Sequence, residues 1–376
     1  MLSAAGVVAQ ALTPLPEAAA LDGAVAESLK SLRYDREANH LQILDQLLIP
    51  AETKYVDVCG VEDGFSVIKK MQVRGAPLIA SVATLALAVE LDRPEAALEL
   101  PALEAFVRER CAFLLSSRPT AVNLANALDV VLAFRASSAD EYRIGLKELV
   151  FALWVAEKEE NRRLLHCATA CVLANFPEHK KLRVMTVCNT GSLATSSLGT
   201  ALGVIRQLHA AGRLEMAFAL ETRPYNQGVR LTTYELVHDA IPVTLITDNM
   251  AAAAMRLQSI DIVLVGADQV ALNGDTANKI GTYMLAVLAA YHRIPFFVVT
   301  PSSSINRNRA DGSTITIEER PAAEMTTFNG KSLAPEGVGV WNPAFDVTPA
   351  LLITGILTEL GNFAPANLAS GLASSF

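Results

Sequence analysis

Polar or reactive side chains end five apolar stretches in the second half of the chain. The stretches span residues 183–188, 216–221, 243–247, 260–266 and 295–300. If they are parallel strands of one sheet, their carboxyl ends meet at the edge where open α/β sheets bind ligands. A purely structural sheet does not need such residues at five strand ends, so the pattern predicts an active site at this edge.

Cys188 and Asp268 are the candidates for catalysis at these strand ends. Cys188 precedes Asn-Thr-Gly and a predicted helix start, where backbone N–H groups and the helix dipole favour an anion or a thiolate. Asp268 follows an apolar strand, where desolvation favours a carboxyl group that exchanges its proton near neutral pH. Two structural interpretations stay open, an inert buried thiol at Cys188 and a helix N-cap at Asp268.

Other side chains are candidates for binding a phosphate or a sugar hydroxyl group. Arginine matches the geometry of phosphate oxygens best, and both candidate arginines precede a predicted apolar helix. The polar candidates in the second half of the chain lie in turns and loops, where amides are usually solvated, so each is weak evidence alone. The candidates are Arg74 with Gly75 and Ala76, Arg118, Gln227, Asn278 and Lys279.

Composition favours a globular protein without general affinity for polyanions. The 376 residues are 51% hydrophobic and 19% charged, and the net charge of −8 argues against binding to nucleic acid or anionic membranes. The longest uncharged run, residues 184–205, is rich in Asn, Thr, Ser and Gly, unlike a membrane-spanning helix. Residues 1–16 are uncharged, so no signal peptide is expected. The odd number of five cysteines indicates reduced thiols and a cytoplasmic location, with the nucleus as a second compartment.

The periodicity of apolar residues divides the chain into domains. Residues 1–27 are predicted to be a loosely ordered extension, residues 28–180 a helical N-terminal domain with a small β unit, residues 181–362 a Rossmann-like catalytic domain, and residues 363–376 a tail. Apolar residues at three- and four-residue spacing indicate helices in the first domain, and its charged run 157–163 predicts a solvated helix face. In the second domain, strands alternate with predicted helices at 198–210, 229–239, 250–258 and 276–292, and another helix is expected near 349–360. This alternation predicts an α/β fold with a parallel sheet.

The sequence lacks the common signatures of cofactor and metal sites. It contains no GxGxxG motif after a strand, no GxxxxGK[ST] and no GxSxG. It also lacks HExxH and paired CxxC motifs, and Cys167 and Cys171, four residues apart beside His166, favour core packing over metal ligation. We therefore expect no cofactor and no metal.

Seven ordered motifs between residues 32 and 361 carry a family resemblance. They are RGAPLIA from Arg74, SRPTAVNL from Ser117, CNTGSLAT from Cys188, ETRPYNQGVRLTTYEL from Glu221, ITDNMAA from Ile246, VGADQVALNGDTANKIGTY from Val265 and NPAFDVTP from Asn342. In these motifs the chain closely resembles the methylthioribose-1-phosphate isomerase family of methionine salvage. One departure is Gln269, which stands where the family usually has arginine.

The resemblance implies the isomerisation of 5-methylthioribose 1-phosphate, an aldose phosphate, to 5-methylthioribulose 1-phosphate, in methionine biosynthesis. It implies that Cys188 is the catalytic cysteine and Asp268 the proton donor. It also implies a homodimer, and substrate ligands at Arg74, Gly75, Ala76, Arg118, Gln227, Asn278 and Lys279.

Alternatives to this function stay open. The regulatory subunits of the translation-initiation guanine-nucleotide exchange factor share the architecture but generally lack the Cys and Asp pair together with the Asn and Lys ligands. A ribose 1,5-bisphosphate isomerase would need a second cationic pocket in place of an apolar one. For either isomerase, the sequence does not choose between proton transfer through an enolate and direct hydride transfer.

Overall fold

The computed structural model describes residues 29–328 and 330–374, which divide into two compact units. One unit holds residues 29–163 and Ser192–Gly199, and the other holds Leu164–Gly191 and residues 200–374. The predicted extension at residues 1–27 lies outside the described residues. None of the described helices combines the length and apolarity that crossing a bilayer demands.

The first unit combines a small antiparallel sheet with several helices. Leu41 and Ile43 point from the middle strand into the same apolar core as Val58 and the Ala- and Leu-rich second helix. The predicted helical region with a small strand unit is therefore confirmed. Its elements are β1 (Leu32–Asp35), β2 (His40–Leu44), β3 (Tyr55–Val58), α1 (Val61–Lys69), α2 (Ala76–Glu90), α3 (Leu100–Ser117), α4 (Val122–Leu132) and the first part of α5 (Ala139–Ala174).

The second unit contains the end of α5 and a larger set of strands and helices. The elements are β4 (Leu182–Thr186), α6 (Ala201–Ala210), β5 (Leu214–Leu220), α7 (Thr233–His238), β6 (Val243–Ile246), α8 (Ala251–Leu257), β7 (Ile262–Val265), β8 (Gln269–Ala271), β9 (Thr276–Lys279), α9 (Thr282–His292), β10 (Phe296–Val299), β11 (Ile305–Asn306), α10 (Ala323–Thr326), β12 (Thr327–Phe328), β13 (Lys331–Ser332), β14 (Phe345–Thr348), β15 (Gly355–Thr358), β16 (Gly361–Phe363) and α11 (Leu368–Ser374).

The main sheet is parallel except for β16 at its edge, and its strand order is β16-β15-β10-β7-β4-β5-β6. Its central strands are continuous apolar runs, and every residue of β7 and β10 is buried, as expected for strands covered on both faces. Met185 of β4 pairs with Val263 of β7, whereas on its other side β4 pairs with β5. β5 and β6 therefore lie on one side of β4, whereas β7 and β10 lie on the other, so the strand order reverses between β4 and β7. The predicted α/β fold with a mostly parallel sheet is confirmed.

Several predicted elements are wrong. Residues 276–279 form β9 of a four-stranded sheet, β11-β8-β9-β14, and α9 begins only at Thr282. Residues 355–358 form β15 instead of part of a helix, and α6 begins at Ala201 instead of Leu198. Short strands of this kind depend on hydrogen bonds from segments distant in sequence, which local periodicity does not show.

The charged run at residues 157–163 is not a solvated helix face. It lies in α5, where its side chains are half-buried or buried. Asn161 donates from Nδ2 to Gly199 O (2.7 Å) and accepts from Leu198 N (3.2 Å). Polar side chains in this run are thus used to hold a loop of the same unit.

Candidate active site

Cys188 lies two residues after β4, in a buried turn with an unusual backbone conformation. Its φ is +66°, and the φ of Thr222, just after β5, is +64°. This left-handed region is unfavourable for residues with a Cβ, and most of all for β-branched ones. Such conformations persist where the surrounding structure imposes them, and they concentrate at functional sites.

Hydrogen bonds hold both unusual turns. Cys188 N donates to Thr222 Oγ1 (2.8 Å), and Thr232 Oγ1 donates to Cys188 O (2.5 Å). The Asp248 carboxylate accepts from the N–H groups of Thr222 (2.9 Å) and Arg223 (2.7 Å). The carboxyl ends of β4, β5 and β6 are thereby joined. Sequence patterns did not predict these roles, although Thr222 and Asp248 each lie two residues after a strand.

Asp268 emerges at the same edge of the sheet as Cys188. The strands that precede them, β7 and β4, are parallel neighbours at the point where the strand order reverses, which is where such sheets form their binding crevice. The turns are in contact, because a Cβ built on Gly266 would lie 2.9 Å from Thr190 Cγ2. Asp268 is followed by strand β8, so its interpretation as a helix N-cap is wrong.

Asn278 and Lys279 lie on β9, next to the backbone of Asp268. Asp268 N donates to Ala277 O (3.0 Å). Asn278 and Lys279 directly follow Ala277 in the chain, so this hydrogen bond brings them close to the Asp268 turn. Asn278 Nδ2 donates to Thr282 Oγ1 (3.0 Å). The structure therefore brings this pair to the Asp268 turn, but on a strand and not at the predicted helix start.

Asp346 was not predicted from the sequence, yet it lies directly across the strand pair from Asn278. Its carboxylate accepts hydrogen bonds from Gly281 N (2.7 Å) and Tyr283 N (3.1 Å) at the start of α9. Burial raises the pKa of Asp346 to about 6, against the lowering effect of these hydrogen bonds and of Lys279. This carboxyl group thus fixes the junction between β9 and α9.

Two buried amide groups have polar atoms available to a ligand. Gln227 is 2% exposed, and its Oε1 accepts no hydrogen bond from any described residue. The buried Nε2 of Gln269 likewise donates no hydrogen bond to any residue in the described part of the chain. Gly228, next to Gln227, lies against the end of β5. A Cβ built on Gly228 would lie 3.0 Å from Thr222 Oγ1, the atom that accepts the hydrogen bond from Cys188 N. Because buried polar atoms are nearly always hydrogen-bonded, these amides suit a hydroxylated ligand.

The remaining predicted ligands belong to the first unit. Arg74 is 8% exposed and immediately precedes Gly75, whose φ is +103° and whose built Cβ would overlap the backbone of Ala194. Ala76 is the first residue of α2, so the predicted loop before an apolar helix is present. Arg118 likewise lies in the predicted loop before an apolar helix, since α4 begins at Val122. It also directly follows the last residue of α3, where the negative end of the helix dipole favours a guanidinium group.

No group of three or more His, Cys, Asp or Glu side chains among residues 29–328 and 330–374 is arranged to hold a metal ion. The five cysteines all have free thiols, including Cys188. The candidates at the sheet edge comprise the Cys188 thiol, the Asp268 carboxyl group, the buried amides of Gln227, Gln269 and Asn278, and the Lys279 ammonium group. These groups are suited to acid–base chemistry on a small polar molecule.

The chain is similar to known proteins both in sequence and in three-dimensional structure. Residues 72–365 match the model of the initiation factor 2 subunit family. The chain is 51% identical over 359 residues to methylthioribose-1-phosphate isomerase of Caenorhabditis briggsae, covering 94% of this chain and 95% of the relative. A structure of 5-methylthioribose 1-phosphate isomerase from Pyrococcus horikoshii matches with a TM-score of 0.81 and 36% identity, over 98% of this chain and 97% of the other. A structure of translation initiation factor eIF-2B, subunit delta, from A. fulgidus matches with a TM-score of 0.78 and 36% identity, over 90% and 97%.

Proposed function

Because this chain belongs to the initiation factor 2 subunit family and, within it, to the methylthioribose-1-phosphate isomerases, we propose that it converts 5-methylthioribose 1-phosphate to 5-methylthioribulose 1-phosphate. The observation that carries the proposal is the pair of turns after β4 and β7, which present Cys188 and Asp268 at the strand-order reversal. That reversal also supports a Rossmann-like domain.

The proposed reaction is an isomerisation, so the product has the same atoms as the substrate. Asp268 donates a proton to the ring oxygen as the bond from that oxygen to C1 breaks. A hydrogen then moves from C2 to C1 beside Cys188, and the proton of the C2 hydroxyl group returns to the Asp268 carboxylate. C2 is thereby oxidised to the ketone and C1 is reduced, so no external oxidant is needed. Solvent deuterium at C1 of the product would indicate proton transfer, and its complete absence would count against that route.

The proposed substrate ligands differ in what they offer. Arginine guanidinium groups and the Lys279 ammonium suit the phosphate, while amides suit the sugar hydroxyls. The buried Oε1 of Gln227, without a hydrogen-bond donor among the described residues, supports its role as an acceptor. The proposed ligands are Arg74, Gly75, Ala76, Arg118, Gln227, Asn278 and Lys279.

A direct assay tests the function. Purified protein with 5-methylthioribose 1-phosphate is expected to form the ketose product, and Cys188→Ser and Asp268→Asn are each expected to reduce kcat on the order of 10²-fold or more. Cys59→Ser, at an exposed cysteine, and Asp140→Asn, at an exposed aspartate, are matched controls that retain activity. Normal turnover in a folded Cys188 or Asp268 variant would refute its assigned role.

The match to a translation-factor subunit makes a non-catalytic role the second candidate. The assay separates the two, because a regulatory protein would not turn over the substrate. Ribose 1,5-bisphosphate tested in parallel addresses the other isomerase, and a higher kcat/KM for the bisphosphate would overturn the proposed substrate.

We also propose that the protein is a cytoplasmic homodimer. Tyr283, Val287 and Tyr291 recur every four residues along α9 and are 44%, 43% and 81% exposed, which forms an apolar stripe on the sheet unit. Exposed stripes of this kind are typical of protein interfaces. The free thiols are consistent with a reducing compartment.

A further inference from the structure

A buried cluster of charged residues lies on the two helices that follow β4 and β5. Arg206 of α6 is 2% exposed, and Glu235 of α7 is completely buried. The Arg206 guanidinium donates to Glu235 Oε2 (2.7 Å) and to Asp239 Oδ2 (2.6 Å). Asp239 in turn lies 2.9 Å from His238 Nδ1. The cluster therefore links α6 to α7 through the fully buried Arg206–Glu235 pair, and it reaches the surface through Asp239 and the exposed His238.

The same glutamate also contacts the turn that carries Cys188. Asn189, 1% exposed, donates from Nδ2 to Glu235 Oε1 (2.7 Å) and approaches Thr232 Oγ1 (3.3 Å). Gly191 lies so close to Glu235 that a Cβ built on it would overlap both carboxylate oxygens. Glu235 and Thr232 thus contact the backbone or side chain of three of the four residues from Cys188 to Gly191.

Stability alone does not account for this arrangement. Removing two charges from water costs free energy that their attraction often fails to recover, and replacing a buried ion pair by well-packed apolar residues is often neutral or stabilising. Buried polar networks whose members are all hydrogen-bonded instead specify one arrangement of the groups they bind. Here the group that is specified is the left-handed turn at Cys188.

We propose that Glu235, held by Arg206, is a positioning residue for the catalytic cysteine. It fixes Asn189 and Gly191, and through them it sets the direction of the Cys188 thiol. This inference rests on the proposed function, in which Cys188 is catalytic. A misplacement of a reacting group by about 1 Å costs on the order of 10²-fold in rate, so a misplaced Cys188 thiol should produce a measurable loss of kcat.

The test compares Glu235→Gln with a matched control, Glu90→Gln. Glu90 is also a buried glutamate, it accepts from Val61 N (3.0 Å) and pairs with Arg110 (3.2 Å), but it lies in the first unit. Three quantities are measured for each protein: Tm, kcat with KM, and the rate at which iodoacetamide alkylates Cys188, followed by mass spectrometry of its peptide.

Glu235→Gln is expected to lower kcat about 10- to 100-fold, to change KM less than about threefold, and to change the Cys188 alkylation rate severalfold. Glu90→Gln is expected to lower Tm while leaving kcat and alkylation as in the wild type. Normal kcat and alkylation in Glu235→Gln, or an equal loss of kcat in Glu90→Gln, would overturn the inference.

A second variant covers the case in which Glu235→Gln does not fold. Thr232→Val removes the hydroxyl that donates to Cys188 O at little change of volume, and it is expected to show the same fall in kcat and change in alkylation. Unchanged values would contradict the inference. If the wild type itself does not turn over the substrate, the proposed function fails, whereas the alkylation rates still test the positioning of Cys188.

Discussion

Two carboxyl groups, one in each unit, have their pKa raised mainly by burial: Glu157 to about 7 and Asp346 to about 6. Glu157 of α5 accepts from Ser196 N (3.4 Å) and contacts the Ser196 hydroxyl. Since the pKa in the folded protein exceeds the unfolded value, the protonated form is favoured by folding. The resulting stability is complete below about pH 4 and is lost as the pH rises through 6 to 7.

We predict that Glu157→Gln removes much of this pH dependence. Glutamine keeps the polar contact to Ser196 but carries no charge, so the variant should gain stability over the wild type as the pH rises from 5 to 8. Melting temperatures measured from pH 4 to pH 8 are expected to differ by a few degrees at pH 8 and to converge near pH 4. Glu37→Gln, at an exposed glutamate, is the control and should follow the wild type. Parallel curves for Glu157→Gln and wild type would contradict the assignment.

At the scale of elements, close backbone packing positions the catalytic turns. The π-helical turn Gly228–Thr232 lies against the end of β5, and Gly228 leaves no space there for a side chain. This packing brings Thr232 and Thr222 to the carbonyl and the N–H of Cys188. The conformation of one turn thus depends on elements from two other segments of the chain.

Gly228→Ala is expected to destabilise the protein by at least about 2 kcal/mol, because its Cβ would overlap the Leu220 carbonyl group and the backbone must shift. The shift should also reduce kcat. Gly212→Ala is the control: Gly212 has a φ of +67° but open space around its Cβ position, so only about 1–2 kcal/mol of strain is expected, with kcat unchanged. Urea denaturation and the isomerase assay measure both effects, and equal kcat in the two variants would argue against the role of this turn.

At the scale of the whole molecule, the exposed stripe on α9 is the surface from which self-association is expected. Tyr283, Val287 and Tyr291 are spaced four residues apart on α9 of the sheet unit, so they form one continuous apolar face. A charge placed in its centre would have to be buried without a partner in a dimer, at a high cost in free energy.

We predict that Val287→Glu converts a dimer of the wild type to a monomer. Light scattering after size exclusion would show the mass fall by half at micromolar concentration. Ile144→Glu, at an equally apolar position that is 62% exposed in the first unit, is expected to keep the dimeric mass. A dimer that persists in Val287→Glu would exclude this face, and a monomeric wild type would exclude the homodimer.

The sequence by itself determined the α/β class, the main parallel strands and the candidates at their ends. It could do so because apolar runs and helical spacing are local properties, and because strand ends in a parallel sheet share one edge. Cys188 and Asp268 were identified in this way, although their catalytic roles stay proposals.

Only the tertiary structure decided which residues support those candidates. The left-handed turn at Cys188 and the carboxylate of Glu235 owe their positions to partners dozens of residues away. The strand with Asn278 and Lys279 likewise exists because β8 and β14 supply its hydrogen bonds. Such contacts leave no periodic signal in the sequence, since their free energy arises only when distant segments meet.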